Sequence, residues 1–219
     1  MQELSTVLIQ YCFFPRLMHS AKDALFSFQF YKMLHKLRVP NFNFLSFFGQ
    51  ILKCIVPAIH FCSEDEAENL GIFFLELFKQ LSYWSKKENW DRECQGYGGF
   101  ARKFVDPTMC ITHQEFVDKI IQSINKRISA AMNFCFDKSE KMHMKARCAL
   151  IILNRVAPVF PKSYQITKTI QTQLQTLVDA KASQMSDSGL KTLAGRVNEK
   201  LKQKLVSFPE YAAEEKAKK

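Results

Sequence analysis

Three groups of residues have the types needed for chemistry. His60 and Cys62, with Cys54 earlier on the same apolar run, offer nitrogen and sulfur donors. A structural zinc site takes four such ligands, usually as two close pairs. Only one pair is present, so these residues read as small side chains on a core helix. Cys94, His113 and Asp118 are the types of a nucleophile, a base and an orienting acid. Activating a thiol requires an electropositive setting that brings such groups together, and no spacing in the chain provides it. Gly96-Tyr97-Gly98-Gly99 is rich in glycine but lacks the preceding strand and the following Lys-Ser/Thr of a P-loop. It reads as a kinked turn that packs Tyr97 and Phe100 against helices. The acid run Glu64, Asp65, Glu66 and Glu68 reads as a helix start. The expectation is no catalytic residue, no metal site and no cofactor, and the chain is not read as an enzyme.

The basic residues suggest another chemistry. Residues 1–109 carry 12 basic and 11 acidic side chains, whereas residues 110–219 carry 19 and 10, a net of +9. Lys138, Lys141, Lys145, Arg147 and Arg155 crowd one stretch, and Arg196, Lys200, Lys202 and Lys204 another. Basic residues near a helix C-terminus partly answer the helix dipole, and a solvated face is the ordinary reading. A half-chain this basic also attracts polyanions, the more so at low salt. The candidate nucleic-acid contacts are Lys141, Lys145, Arg147, Arg196, Lys200, Lys202 and Lys204. No RNP-type aromatic motif or finger spacing accompanies them, so RNA or DNA would be bound without sequence specificity.

The elements that must position these residues read as helices. Residues 16–38 predict one helix, stopped by Pro40, and residues 42–61 a second, apolar nearly all round. Ser63 with Glu66 is a capping box. It opens the stripe Ala67, Leu70, Phe74, Leu77, Phe78 and Leu81, which follows three- and four-residue steps. A loop spans 95–111 and contains Pro107. A second box, Thr112 with Glu115, opens a stripe through Phe116, Ile120, Ile124, Ile128 and Ala131. Further helices are expected over 139–157, ended by Pro158 and Pro161, then 162–181, then 188–206, beginning at Asp187 and stopped by Pro209. No segment alternates with a two-residue period. The fold class is all-α, an antiparallel helical-repeat, α-solenoid-like array of about seven to eight helices. Phe160-Pro161 and Phe208-Pro209 recur 48 residues apart, a spacing that a two-helix solenoid repeat or chance gives equally well. Residues 1–208 are expected to form one domain, divided by the 95–111 loop into a Phe-rich and a basic half, with a flexible tail over 209–219.

Composition agrees. The 219 residues include 20 Phe and only 7 Gly, which disfavours Gly-rich β-sandwiches, P-loop enzymes and collagen-like chains. With 47% apolar residues, most of the chain can pay the entropy of folding. Seven cysteines, an odd number without C-x-x-C spacing, fit reduced thiols in the nucleus or cytosol. Residues 4–14 are apolar but follow Glu3 without a basic flank, unlike a signal peptide. Residues 39–62 are long and apolar, yet Asn41, Asn43, Gln50 and Lys53 lie inside and Pro40 and Pro57 interrupt. They read as a buried helix and not as a membrane span.

Several phrases carry a resemblance. Phe14-Pro15-Arg16 is followed by Ser20-Ala21, Asp23-Ala24 and Pro40-Asn41-Phe42. Cys62-Ser63-Glu64-Asp65-Glu66-Ala67 is followed by Leu70-Gly71, Phe74-Leu75, Trp84, and Glu93-Cys94 through Tyr97, Gly99 and Phe100. Leu150-Ile151-Ile152-Leu153 is followed by Pro158, Phe160 and Pro161, and Leu190 and Leu193-Ala194 match more loosely. In order and spacing, over about residues 10–205, the chain resembles the THO complex subunit 2 family, the large scaffold of the nuclear THO/TREX messenger-RNA export assembly. It departs from that pattern at Ser123-Ile124, where the family has a Trp-His pair. It departs again at Lys145-Ala146-Arg147-Cys148, against a His-x-Arg-Asn run, and at Gly98, which replaces a proline. Family members are far longer. The resemblance implies a non-catalytic α-helical scaffold in the nucleus, without membrane association. It would bind other THO complex subunits, support a DEAD-box RNA helicase on transcripts, and contact RNA or RNA–DNA hybrids.

Overall fold

The computed structural model describes residues 6–39, 42–103, 106–136, 143–179, 188–211 and 213. A π-helical turn, Ile9–Phe13, runs into α1, Phe14–His19. Then come α2 (Ala21–Lys36), α3 (Phe44–Ala58), α4 (Glu64–Trp84) and α5 (Lys87–Glu93). A 3-10 turn, Gly98–Phe100, leads to a hairpin of β1 (Ala101–Lys103) and β2 (Asp106–Cys110). A single turn, His113–Glu115, and a π segment, Phe116–Ile121, open α6 (Gln122–Cys135). The chain continues through α7 (His143–Val156), α8 (Tyr164–Val178) and α9 (Ser188–Val206). The all-α array is thus observed, with more helices among the described residues than the seven or eight expected.

The additional helices are α5, in a stretch where none was expected, and the pair α1 and α2, where one was. The expected helix over 16–38 is broken at Ser20, whose backbone is extended (φ −154°, ψ 160°) and whose Oγ accepts the Asp23 amide at 3.1 Å. A serine hydroxyl that can cap offers the backbone an alternative to continuing the helix. Arg16 bridges the break to Asp23 at 2.9 Å. The 95–111 loop, for its part, is not structureless. It holds α5's exit, the 3-10 turn and the antiparallel hairpin, with Ala101 opposite Cys110 and Lys103 opposite Asp106. Strands of three and five residues are too short for alternation to appear. Pro40 and Asp187 fall outside the described residues, as does most of the 209–219 tail.

The two predicted capping boxes form. The Ser63 amide donates to Glu66 Oε2 at 2.8 Å while Ser63 Oγ accepts the Glu66 amide at 3.4 Å. Thr112 and Glu115 repeat the exchange at 3.1 and 3.2 Å. Below its box α4 buries Ala67, Leu70, Phe74, Leu77, Phe78 and Leu81, the predicted stripe, and Phe73 and Trp84 besides. α4 is the central element: α2 packs on one side of it and α7 on another. α9 packs against α7 and α8. One continuous set of buried apolar side chains runs from Ile9 to Leu201.

The Phe excess has a location. Phe44, Trp84, Trp90, Phe100 and Phe116 form an aromatic knot with ring centroids 4.6 to 6.4 Å apart, in tilted, stacked and edge-on pairs. Such pairs add to plain burial. Gly99 lies against this knot: a Cβ there would sit at ordinary contact distance, 3.6 Å, from both His35 Nδ1 and Phe44 Cβ.

Candidate functional site

The sequence nominated basic residues of α7 and α9, and the structure divides them by what they touch. Arg147 Nε pairs with Glu64 Oε1 at 2.8 Å, and Arg155 with Glu68 Oε2 at 2.8 Å. The acid run therefore has two functions: it starts α4 and it grips α7. Lys200 Nζ donates to the Asn154 side chain at 2.7 Å and its carbonyl at 3.3 Å, and Lys204 Nζ donates to the Ala157 carbonyl at 2.8 Å. These carbonyls lie at the C-terminal end of α7, where helices leave acceptors unpaired and carry partial negative charge. Two lysines of α9 thus cap the end of α7. Burial, with help from Lys162, pushes the Lys204 ammonium down to about 8.

Lys202 pairs with Glu199 one turn earlier at 3.1 Å. Arg196 is exposed on α9. Lys141 lies outside the described residues. Lys145 sits elsewhere: its Nζ is 5.6 Å from the centroid of Phe61 and 5.7 Å from that of Phe134. The nominated residues do not converge on one spot. Lys145, Arg147, Lys200, Lys202 and Lys204 all hold protein partners.

The groups considered for catalysis or metal binding are each held in other arrangements. His60 Nδ1 lies 3.2 Å from Cys135 Sγ, while Cys62 receives at its carbonyl the thiol of Cys148 at 3.2 Å. Among the described residues no three or more of His, Cys, Asp and Glu are arranged to hold a metal ion. Cys94 is fully buried, and burial raises its thiol far above the ordinary value. His113 Nε2 meets the Ser85 carbonyl at 2.9 Å, and Asp118 accepts from Gln114 at 2.5 Å. No described helix is long and apolar enough to cross a membrane.

The glycine loop is fastened by a network the sequence did not reveal. Glu93, the last residue of α5, accepts from Tyr83 Oη at 2.9 Å and from Trp84 Nε1 at 3.0 Å. Burial acts to raise its carboxyl, but those two hydrogen bonds, with Arg92 and Lys36 nearby, outweigh it and hold it below the usual carboxylate range. The Glu93 carbonyl accepts from His35 Nε2 at 3.0 Å, and burial keeps that imidazole below its ordinary pKa and so neutral. Arg38 then lies over the Tyr97 ring, 4.0 Å from its centroid. Tyr97 and Phe100 pack as expected, and the loop is a structural clasp on α2 and α4. Beside it a cleft of about 420 Å³ is lined by Lys32, Lys36, Lys79, Gln80, Tyr83 and Glu93, but its charges are of both signs and Lys79 pairs with Glu76 at 2.7 Å.

Among the described residues this arrangement is structural. What it builds is a set of helices tied face to face, with exposed apolar side chains at a few places, Phe61 (81% exposed) and Tyr11 (76%) foremost. The periodicity of the sequence does not separate such rings from core ones.

Comparison with known proteins gives the same direction. A family model described as transcription factor/nuclear export subunit protein 2 (Tho2) matches residues 1–201. The chain is similar to THO complex subunit 2 of Arabidopsis thaliana, 32% identical over 162 residues, which is 73% of this chain and 9% of that protein. It is also similar to THO complex subunit 2 of Homo sapiens and of Mus musculus, each 24% identical over 193 residues, 84% of this chain and 12% of theirs. The chain therefore spans about a tenth of the length of the curated relatives it matches. No solved structure matches.

Proposed function

This chain belongs to the THO complex subunit 2 family, and on that premise we propose that it acts as a non-catalytic helical scaffold segment within a THO complex. The observation that carries the reading is the family match over residues 1–201 of a chain whose titratable groups tie helix to helix. A scaffold needs rigid faces, and interhelical ion pairs and capped helix ends hold these helices together. In this role the chain binds other THO complex subunits in the nucleus. It supports recruitment of a DEAD-box RNA helicase and so couples transcription to assembly and export of messenger ribonucleoprotein.

The test is an affinity capture from nuclear extract with the 219-residue chain as bait, read by mass spectrometry. Other THO subunits and the helicase are expected well above a control bait. Absence of all of them would overturn the reading.

A further inference from the structure

We infer that the outer face of α2 seats an acidic amphipathic helix of another THO subunit. The inference rests on the scaffold reading and names one contact within it. α2 is apolar on two sides. Ala24, Phe28 and Tyr31 go into the core. On the far side Phe26, Phe30 and Met33, with Leu37 at the C-terminal end, follow steps of four, three and four residues. At 3.6 residues per turn that spacing is a continuous stripe over about three turns. Phe26 is 51% exposed, Met33 47% and Leu37 67%. Single exposed apolar side chains are ordinary, whereas a run of them along one helix marks an interaction face. Its anchors are already fixed in place. The Arg16 guanidinium lies 4.9 Å from the Phe26 centroid, Phe30 stacks on Phe26 at 5.9 Å, and Phe30 packs on Phe13 at 5.8 Å. Side chains held in this way lose little entropy when a partner arrives.

Charge identifies the occupant. Lys22, Lys32 and Lys36 lie along one edge of the stripe. Residues 16–38 hold five basic side chains and one acid, Asp23, which pairs with Arg16 at 2.9 Å. The acids of the neighbouring cleft are engaged as well: Glu76 pairs with Lys79, and Glu93 accepts from Tyr83 and Trp84. An apolar stripe at three- and four-residue steps with charge along its edge is the surface on which a helix docks lengthwise. The matching helix has apolar residues at the same spacing and Asp or Glu along the edge that meets the lysines. A second copy of this chain fits poorly, because antiparallel pairing of two such faces sets lysine edge against lysine edge.

Photocrosslinking from the stripe tests this. The full chain carrying Met33→p-benzoylphenylalanine is irradiated in nuclear extract, and the joined peptides are sequenced by mass spectrometry. The expected photoproduct is with one THO subunit, at a segment with helical apolar spacing and more Asp and Glu than Lys and Arg. Met33→Glu, which puts an acid in the stripe, is expected to recover that subunit weaker by on the order of tenfold or more. Met33→Leu is expected to recover it like the parent. Lys22→Glu/Lys32→Glu should also weaken recovery, and Lys22→Arg/Lys32→Arg should not. These side chains are not in the core, so the variants should melt as the parent does, which far-UV circular dichroism checks. Suppose the parent recovers THO subunits. A photoproduct that lacks them, one with a second copy of this chain, with RNA or with a basic segment, or undiminished recovery by Met33→Glu would each overturn the inference and leave the scaffold reading standing. Recovery of no THO subunit by the parent overturns both.

Discussion

Glu93 organises three elements with one side chain and one carbonyl. Its two oxygens accept from Tyr83 and Trp84 of α4, and its carbonyl accepts from His35 of α2. Arg92 completes the arrangement by donating to the same Tyr83 hydroxyl. In Glu93→Gln one carboxylate oxygen becomes an amide that points a donor at a donor. Leaving a partly buried Tyr or Trp donor unmatched costs about 1–3 kcal/mol, and urea unfolding at neutral pH should show a loss of that size. The pH dependence follows from the same hydrogen bonds. The folded carboxyl is held below its ordinary value of 4.5. Its contribution is therefore present above that pH and is lost as pH falls through the lower, folded value. The difference in stability between parent and variant should shrink below pH 4.5; a difference that stays constant there would show that the carboxylate charge is not what matters.

At the scale of elements, the crossing of α4 and α7 depends on Gly71. A Cβ at that position would lie 3.2 Å from Arg155 Cβ and 3.6 Å from the Ile152 Cα, tighter than ordinary contact on the first count. The glycine gives up roughly 0.5–1 kcal/mol of helix propensity, and in return the two helices approach closely enough to bury their stripes. Gly71→Leu must force them apart or distort rotamers, at a cost of about 1–3 kcal/mol or more. A thermal melt of Gly71→Leu should show a clear fall, and an unchanged midpoint would mean the crossing has slack. The same scale shows what was legible in the sequence. Both capping boxes and the α4 stripe were readable because they are encoded within three to four residues. The break at Ser20 was not, because apolar spacing continues across it. The acid run read as a cap, which it is, but its grip on α7 joins Glu68 to Arg155 over 87 positions. Lys200 reaches Asn154 over 46. No local pattern predicts contacts at such separations, so residues taken as solvated or RNA-facing include several that hold helix ends. Phe61 and Phe134 were hidden for the opposite reason: a phenylalanine in an apolar run looks buried, and only the tertiary arrangement leaves these two in solvent.

For the whole molecule, the compositional halves are not expected to be separate folding units. The boundary at 95–111 separates a Phe-rich half of net charge +1 from a basic half of +9, as 12 against 11 and 19 against 10 charged residues give. Yet α4 of the first half and α7 of the second pack on each other, and the glycine clasp between them carries Phe100 into the knot made by Phe44, Trp84, Trp90 and Phe116. Buried side chains form one cluster from Ile9 to Leu201. If either half unfolded first, the other would expose Leu70, Phe74 and Leu77, or Leu150, Ile152 and Leu153, all of which are 1% exposed or less. Exposing that much apolar area, at about 25 cal/mol per Å², makes a half-folded state improbable relative to both ends. Unfolding should then be a single cooperative transition. The two tryptophans, Trp84 and Trp90, report by fluorescence on the knot where the first half meets Phe116, whereas far-UV circular dichroism reports on all the helices. The two urea curves should superimpose, and a dichroism loss that precedes or follows the tryptophan change would show that α7, α8 and α9 can come away as a unit.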